Sequence, residues 1–457
     1  TSKFARDITQ ARYHFKNNWV GASFRFEDNQ QKVKPTNQFT LISQKFIEYG
    51  AFVGRGDSTR VYTELGYFQR KNDSIQNGLL QHVNTSQSFY LKSRLIQNDD
   101  SNLSVFINYR NLKYVDDNFG NQPSLNSSIV YSAQFFKQLL QTTTTYETSA
   151  GTIQQQEYTF LEVDPGKGVY TWIDYNGNGI QELQEFEIAA FSDQATFILV
   201  YLPNTVFIKT HQNKFSESLT FNTSQWSNKT GFKKFLSYFY DQFSFLINRK
   251  IEDNGDNFDL NPFDTSTENL LGLNTSFRNS LFYNRGKQDN SVTYTYLSSR
   301  VKNFLFIGSQ ETENSSHQLL YQHLLKQTWL FTMAANTLQS VSTVENYSSR
   351  NYKIDAYQLM PKVSYLFSRN VSLDIFYEFQ NKENQISNFE TLKQTRFGTS
   401  FTYAGEKKLI MNGEISLYNN DFVGDAFSPV AYQMLGGLQP GKNTTWKLLA
   451  QKNLTQF

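Results

Sequence analysis

Cysteine is absent from the 457 residues, which removes disulfide frameworks, thiolate nucleophiles and Cys-ligated zinc or iron–sulfur centres. Proline is scarce, with 8 residues against an average usage of about 5 %. Because proline cannot donate to a β ladder, this scarcity suits long uninterrupted strands. Long hydrophobic runs are missing too. The longest nearly pure apolar stretch, 197–202, falls far short of the roughly 20 residues a spanning helix needs, so a helical membrane protein is excluded. Neither sign of charge dominates: 43 Lys and Arg face 41 Asp and Glu, a formal net charge of +2. That balance gives no argument for nucleic acid as a partner. The chain opens on Thr1 and not on Met, and reads as processed or as a fragment.

What is plentiful is aromatic. Phe (41) and Tyr (27) carry most of a 16 % aromatic content, interleaved with Asn, Gln, Ser, Thr and charged residues. That mixture belongs to strands with one greasy and one wet face. Period-two alternation recurs throughout. Leu103, Val105, Ile107 and Tyr109 alternate with Ser104, Phe106, Asn108 and Arg110, three of these four polar. Leu271, Leu273, Phe277, Leu281 and Tyr283 oppose Asn274, Ser276, Arg278 and Ser280. The same alternation runs through Val371–Phe379 and Leu409–Leu417. Such runs exceed the modal soluble strand of about 5–6 residues and match transmembrane β-strands of about 9–11 residues plus extensions.

The links between runs alternate as well. Short turns are expected at 54–57, 98–102, 149–152, 226–231, 285–289, 368–370, 404–407 and 436–442. Longer polar links are expected at 28–36, 71–84, 116–126, 163–193, 251–268, 309–315, 342–350, 382–390 and 419–427. Outer-membrane barrels have this habit, short on the periplasmic side and long outside. The expected fold is therefore all-β: a large antiparallel transmembrane β-barrel of about 20 strands with long extracellular loops. Closure is what the solvent demands, since backbone groups in lipid need partners and an open sheet leaves an edge. Residues 1–457 are read as one barrel, the C-terminal part of a longer protein with its last strand missing, and 163–193 as an inserted extracellular loop.

The sharpest chemical signal lies in that insertion. Residues 174–185 have the ligand spacing of an EF-hand calcium loop: Asp174, Asn176 and Asn178 at positions one, three and five, Gly179 at six, Glu182 at nine and Glu185 at twelve. Ile180 occupies position seven, whose backbone carbonyl is a ligand, although the motif usually carries its apolar residue at eight. Alternate side chains in a tight loop converge on one point, the glycine permits the turn, and the last glutamate closes the shell with two oxygens. A Gly/Asn-rich turn with incidental carboxylates is the bland alternative. The incoming residues 169–173 are strand-like, so a lone loop is expected and not a paired sensor domain. Three charged ligands predict a weak structural Ca²⁺ site, with a dissociation constant of order 10⁻⁴–10⁻³ M.

Little else points to chemistry. His14, His82, His211, His317 and His323 are scattered and read as polar-face or loop residues. Asp253, Asp256 and Asp259 read as a solvated loop. No nucleophile elbow, phosphate loop or zincin motif is present, and catalysis is not expected. Trp19, Trp172, Trp226, Trp329 and Trp446 read as interfacial girdles in preference to sugar-stacking platforms.

Taken together, the alternating runs resemble the large outer-membrane β-barrel proteins of Gram-negative bacteria. The segment 170–179, Tyr-Thr-Trp-Ile-Asp-Tyr-Asn-Gly-Asn-Gly, with Glu-Phe-Glu-Ile-Ala at 185–189, looks like part of large, mostly uncharacterised Bacteroidota surface-membrane proteins. That resemblance implies an outer-membrane location, with lipid, lipopolysaccharide, other outer-membrane proteins or surface lipoproteins as partners, in machines for protein export, barrel assembly or nutrient uptake. The expected function is a channel, scaffold or accessory subunit of such a complex. The alternative is an all-β surface adhesin or glycan-binding protein.

Overall fold

The computed structural model describes the chain except for residues 1, 35, 58–60, 117–119, 175–178, 182, 190, 254–257, 267–268, 288, 306–307, 346–349, 369, 387, 405–408 and 453–457. The described residues are overwhelmingly β and divide into two compact units.

The first unit comprises Thr1–Ile153 with Ile208–Leu219 and Ile247–Leu270. Its strands are β1 (Ser2–Phe15), β2 (Asn18–Gln31), β3 (Gln44–Gly56), β4 (Tyr62–Gln76), β5 (Leu79–Gln97), β6 (Ser101–Tyr114) and β7 (Asn121–Phe135), followed by the first part of β8 (Leu140–Glu162). Each pairs antiparallel with the next. The register explains the alternation. Val20, Val53, Leu65, Leu91 and Ile107 stand directly opposite one another across five strands. Ala51, Tyr67, Phe89 and Tyr109 form the adjacent row. A polar row, Gln69–Gln87–Asn111, then ends the apolar band. Val53, Leu65 and Phe89 are each more than half exposed, so this greasy face is not covered by the unit's own core.

The second unit comprises Gln154–Phe207, Thr220–Leu246 and Leu271–Phe457. It carries two three-residue strands, β9 (Tyr170–Trp172) and β10 (Phe186–Ile188), paired to each other. Beyond them come β11 (Phe197–Asn222) and β12 (Phe239–Glu252), whose residues are shared between the units, and a one-turn helix, α1 (Phe232–Leu236). The ladder continues through β13 (Leu270–Tyr283), β14 (Ser291–Leu305), β15 (Gly308–Leu325), β16 (Trp329–Val344), β17 (Tyr352–Ser368), β18 (Val371–Asn384), β19 (Thr391–Ala404), β20 (Leu409–Val423) and β21 (Gly441–Lys452). On β17 the apolar face reads Tyr357, Leu359, Pro361, Val363, Tyr365 and Phe367 at successive alternate positions. That span equals the roughly 9–11 residues a tilted strand uses to cross a bilayer. Trp329, Tyr365, Leu373 and Phe401 lie in one cross-strand row, and the band ends where Gln339 meets Asp355.

Nineteen long strands of 12 to 26 residues are thus present among the described residues. Five expected links differ. Residues 149–152 lie inside β8, and 309–315 inside β15. Within 71–84 the turn is only Asn77-Gly78, both with positive φ, the Asn-Gly hairpin that matches the twist of paired strands. The links at 419–427 and 436–442 are one connection containing α2 (Pro429–Leu435). Ser428 caps α2, its side chain accepting from the Ala431 N–H, with Pro429 in the first turn and Gly436 left-handed at the far end. Val430, Ala431, Met434 and Leu435 bury against Ile354 and Leu392, and Lys382 Nζ donates to the Met434 carbonyl at 2.7 Å.

Candidate functional site

The wet face of β2–β6 joins rings, acids and arginines from several strands in the first unit. Four of its glycines stand directly opposite a ring on the neighbouring strand: Gly21 by Phe52, Gly50 by Phe68, Gly54 by Trp19 and Gly66 by Tyr90. A Cβ at any of the four would fall 2.0–2.4 Å from that ring, so the missing side chains let the rings lie flat on the backbone. Trp19 and Phe52 are buried in this way.

Glu64 gathers the polar edges of these rings. It accepts from Trp19 Nε1 at 2.9 Å, Tyr90 Oη at 3.0 Å and Arg12 Nη2 at 3.4 Å, and the Arg12 guanidinium lies over the Trp19 and Phe52 rings. Three donors around one largely buried carboxylate make a satisfied anchor, and it fixes where Tyr90 stands.

Beside that anchor opens a recess of about 510 Å³ bounded by Arg25, Arg70, Lys92 and Arg110. Arg25, Glu48 and Arg70 are direct cross-strand neighbours, and Arg25 pairs with Glu48 at 3.3 Å. Arg70 lies 3.6 Å from the Phe46 ring centroid, and its Nε donates to Asn72 at 2.8 Å. Small Ser86 and Ser88 face Arg70 and Arg110 respectively, leaving open space between the two guanidinium groups. The Phe68 and Tyr90 rings, stacked 5.1 Å apart, form one wall. Arg110 also lines an adjoining recess of about 440 Å³ with Lys209 and Asp253. Neither recess is legible from spacing alone, because its residues come from separate strands and meet only through register.

Of the expected calcium ligands, Asn176, Asn178 and Glu182 lie outside the described residues. Asp174 accepts from the Gly179 N–H at 2.8 Å, with Gly179 at φ +71°. Glu185 is buried, accepts from Trp172 Nε1 at 2.8 Å, and its carbonyl accepts from the Ile173 N–H. Ile180 is exposed. The Glu185 end of the loop is therefore tied to the incoming strand, and Asp174 closes a turn within the loop. The Trp172–Glu185 contact was not foreseen, although both lie in the segment that carries the motif.

Other residues are placed differently from the expectation. Asp259 is no free loop carboxylate: it pairs with Arg249 at 2.7 Å, and the Arg249 side chain is fully buried. Residues 258–263 form a strap over this part of the first unit. Asn213 donates to the Asp259 carbonyl and Tyr146 to the Leu260 carbonyl, while Phe258 meets His211 and Phe263 meets Phe215. His211 is accordingly buried under the strap. Just beyond it, the Ser266 N–H and hydroxyl hold the Asp264 carboxyl below the usual carboxylate range. His317 shares its face with Leu319 and Tyr321 and bonds Tyr294 Oη at 2.7 Å, so it sits on the apolar side. Among the described residues, no group of three or more His, Asp or Glu is placed to hold a metal ion.

No family model matches the chain, and no curated protein matches it in sequence. Among solved structures it is similar to the siderophore receptor PiuA from Acinetobacter baumannii, at 9 % identity and TM-score 0.35, over 100 % of this chain and 75 % of that one. It is also similar to the ferric-catecholate import receptor Fiu from E. coli K12, at 9 % identity and TM-score 0.31, over 98 % and 79 %. OmpT, an outer membrane protein of Vibrio cholerae, follows at 10 % and 0.27, over 82 % and 87 %. Scores this low carry no argument about what this chain binds or where it acts.

Proposed function

We propose that the chain forms the wall of a β-barrel in a bacterial outer membrane and serves as a channel, scaffold or accessory subunit of a complex for protein export, barrel assembly or nutrient uptake. One observation supports this reading: in each unit the apolar side chains stand in cross-strand rows on one face, largely exposed, and the rows stop at polar ones. A soluble sheet would bury such a face against a second layer; lipid solvates it without one. Lipid and lipopolysaccharide would meet this face, and other outer-membrane proteins or surface lipoproteins the loops. Residues 174–185 are proposed to hold a structural Ca²⁺, supported by the donor set of the motif and by the ties at Asp174 and Glu185.

The membrane reading is tested by fractionating cells that export the full chain. Recovery in the outer-membrane fraction, release only by detergent, and faster gel migration before heating than after are expected. Release into aqueous buffer without detergent would refute it and favour the adhesin.

A further inference from the structure

The recess in the first unit holds four basic side chains and a single carboxylate, Glu48. That imbalance is local. In the second unit, by contrast, Arg300 sits between Glu311 and Glu313, and Arg396 between Glu378 and Glu414. In the recess Arg25 pairs with Glu48, while Arg70, beside Glu48 and within the field of Glu27, donates its hydrogen bond to neutral Asn72 and rests on the Phe46 ring. Half-buried Arg110 and exposed Lys92 have no side-chain partner among the described residues. Like charges collected beside one cavity raise the free energy of the empty site, and an anionic ligand removes that cost.

We propose that this recess binds a soluble organic anion carrying two or more phosphate or carboxylate groups. Guanidinium forks pair bidentately with both groups. Arg70 and Arg110 stand on β4 and β6, two strands apart and in adjacent rows of the same face, with only the small Ser86 and Ser88 of β5 between them. Two forks on separate strands suit a ligand with two anionic ends, one for each. The stacked Phe68 and Tyr90 rings offer an apolar wall for its carbon skeleton. A volume of about 510 Å³ suits a small-molecule ligand. The inference rests on this local geometry and not on the membrane location.

The test is isothermal titration of the full chain in zwitterionic detergent with pyrophosphate, with citrate, and with maltose as a neutral control. Saturable binding of at least one anion and none of maltose is expected, weakening as salt is raised. Arg110→Gln should weaken it about tenfold or more, and Arg110→Lys, which keeps the charge but not the fork, by less. Arg396→Gln should leave it unchanged. No saturable binding of either anion, or equal weakening by Arg396→Gln, overturns the proposal. Loss of pyrophosphate binding when phosphatidic acid is added to the micelles would place the phosphate on a lipid and overturn the soluble assignment.

Discussion

Gly66 and Tyr90 face each other across β4 and β5, and a Cβ on Gly66 would lie 2.0 Å from the tyrosine ring. Gly66→Val therefore has to push the ring off the strand, taking the phenol away from Glu64. A cost of about 1–3 kcal/mol is expected, as for other overpacked sites, read as a lower denaturation midpoint in detergent. Tyr90→Ala in the Gly66→Val background should recover part of the loss, because the clash is then gone. A neutral Gly66→Val would mean that the ring does not rest on the glycine. At this scale the sequence spoke in types and not in pairs. Alternation tells that Arg70 and Tyr90 are on wet positions, yet only register brings Arg70 toward Arg110 and lays Trp19 on Gly54. The signal that the sequence does carry is the pairing of wet-face aromatics with glycines.

Among the elements, strands were far more legible than connections. A period of two persists whatever the neighbours are, whereas a turn depends on one or two residues. Asn77-Gly78 carried a hairpin signal inside what looked like a long link. Ser428-Pro429 and Gly436 mark both ends of α2, whose apolar side is held by Ile354 and Leu392 from distant strands. For residues 174–185 the proposed ion makes a specific prediction. Added Ca²⁺ should slow proteolysis within 163–193 in the natural chain, and a chelator should speed it, while the strands stay folded. Asp174→Ala with Glu185→Ala should abolish the Ca²⁺ dependence. Glu185→Ala also removes the acceptor for Trp172, so the ion dependence, and not the cleavage rate alone, decides. Unfolding of the whole sheet by the chelator would sink the idea of a local staple.

For the whole molecule, the two faces separate the tryptophans. Trp329 and Trp446 are exposed, at 43 % and 76 %, on apolar-face positions, whereas Trp19 is 7 % exposed on the wet side. In variants retaining one tryptophan each and reconstituted in bilayers, brominated lipid should quench Trp329 and Trp446 strongly and Trp19 hardly at all. Equal quenching of the three would contradict a lipid-facing band. The sequence by itself determined that this chain builds long antiparallel strands with one greasy face, because side-chain direction alternates with a period that pairing partners do not alter. Tertiary structure alone decided which residues meet: the Glu64 anchor, the Arg249–Asp259 pair under its strap, and the recess around Arg70 and Arg110. The physical reason is that a one-residue slip in register keeps every strand's composition but turns every side chain to the other face. Sites spread over several strands are therefore written in the pairing and not in any single stretch of chain.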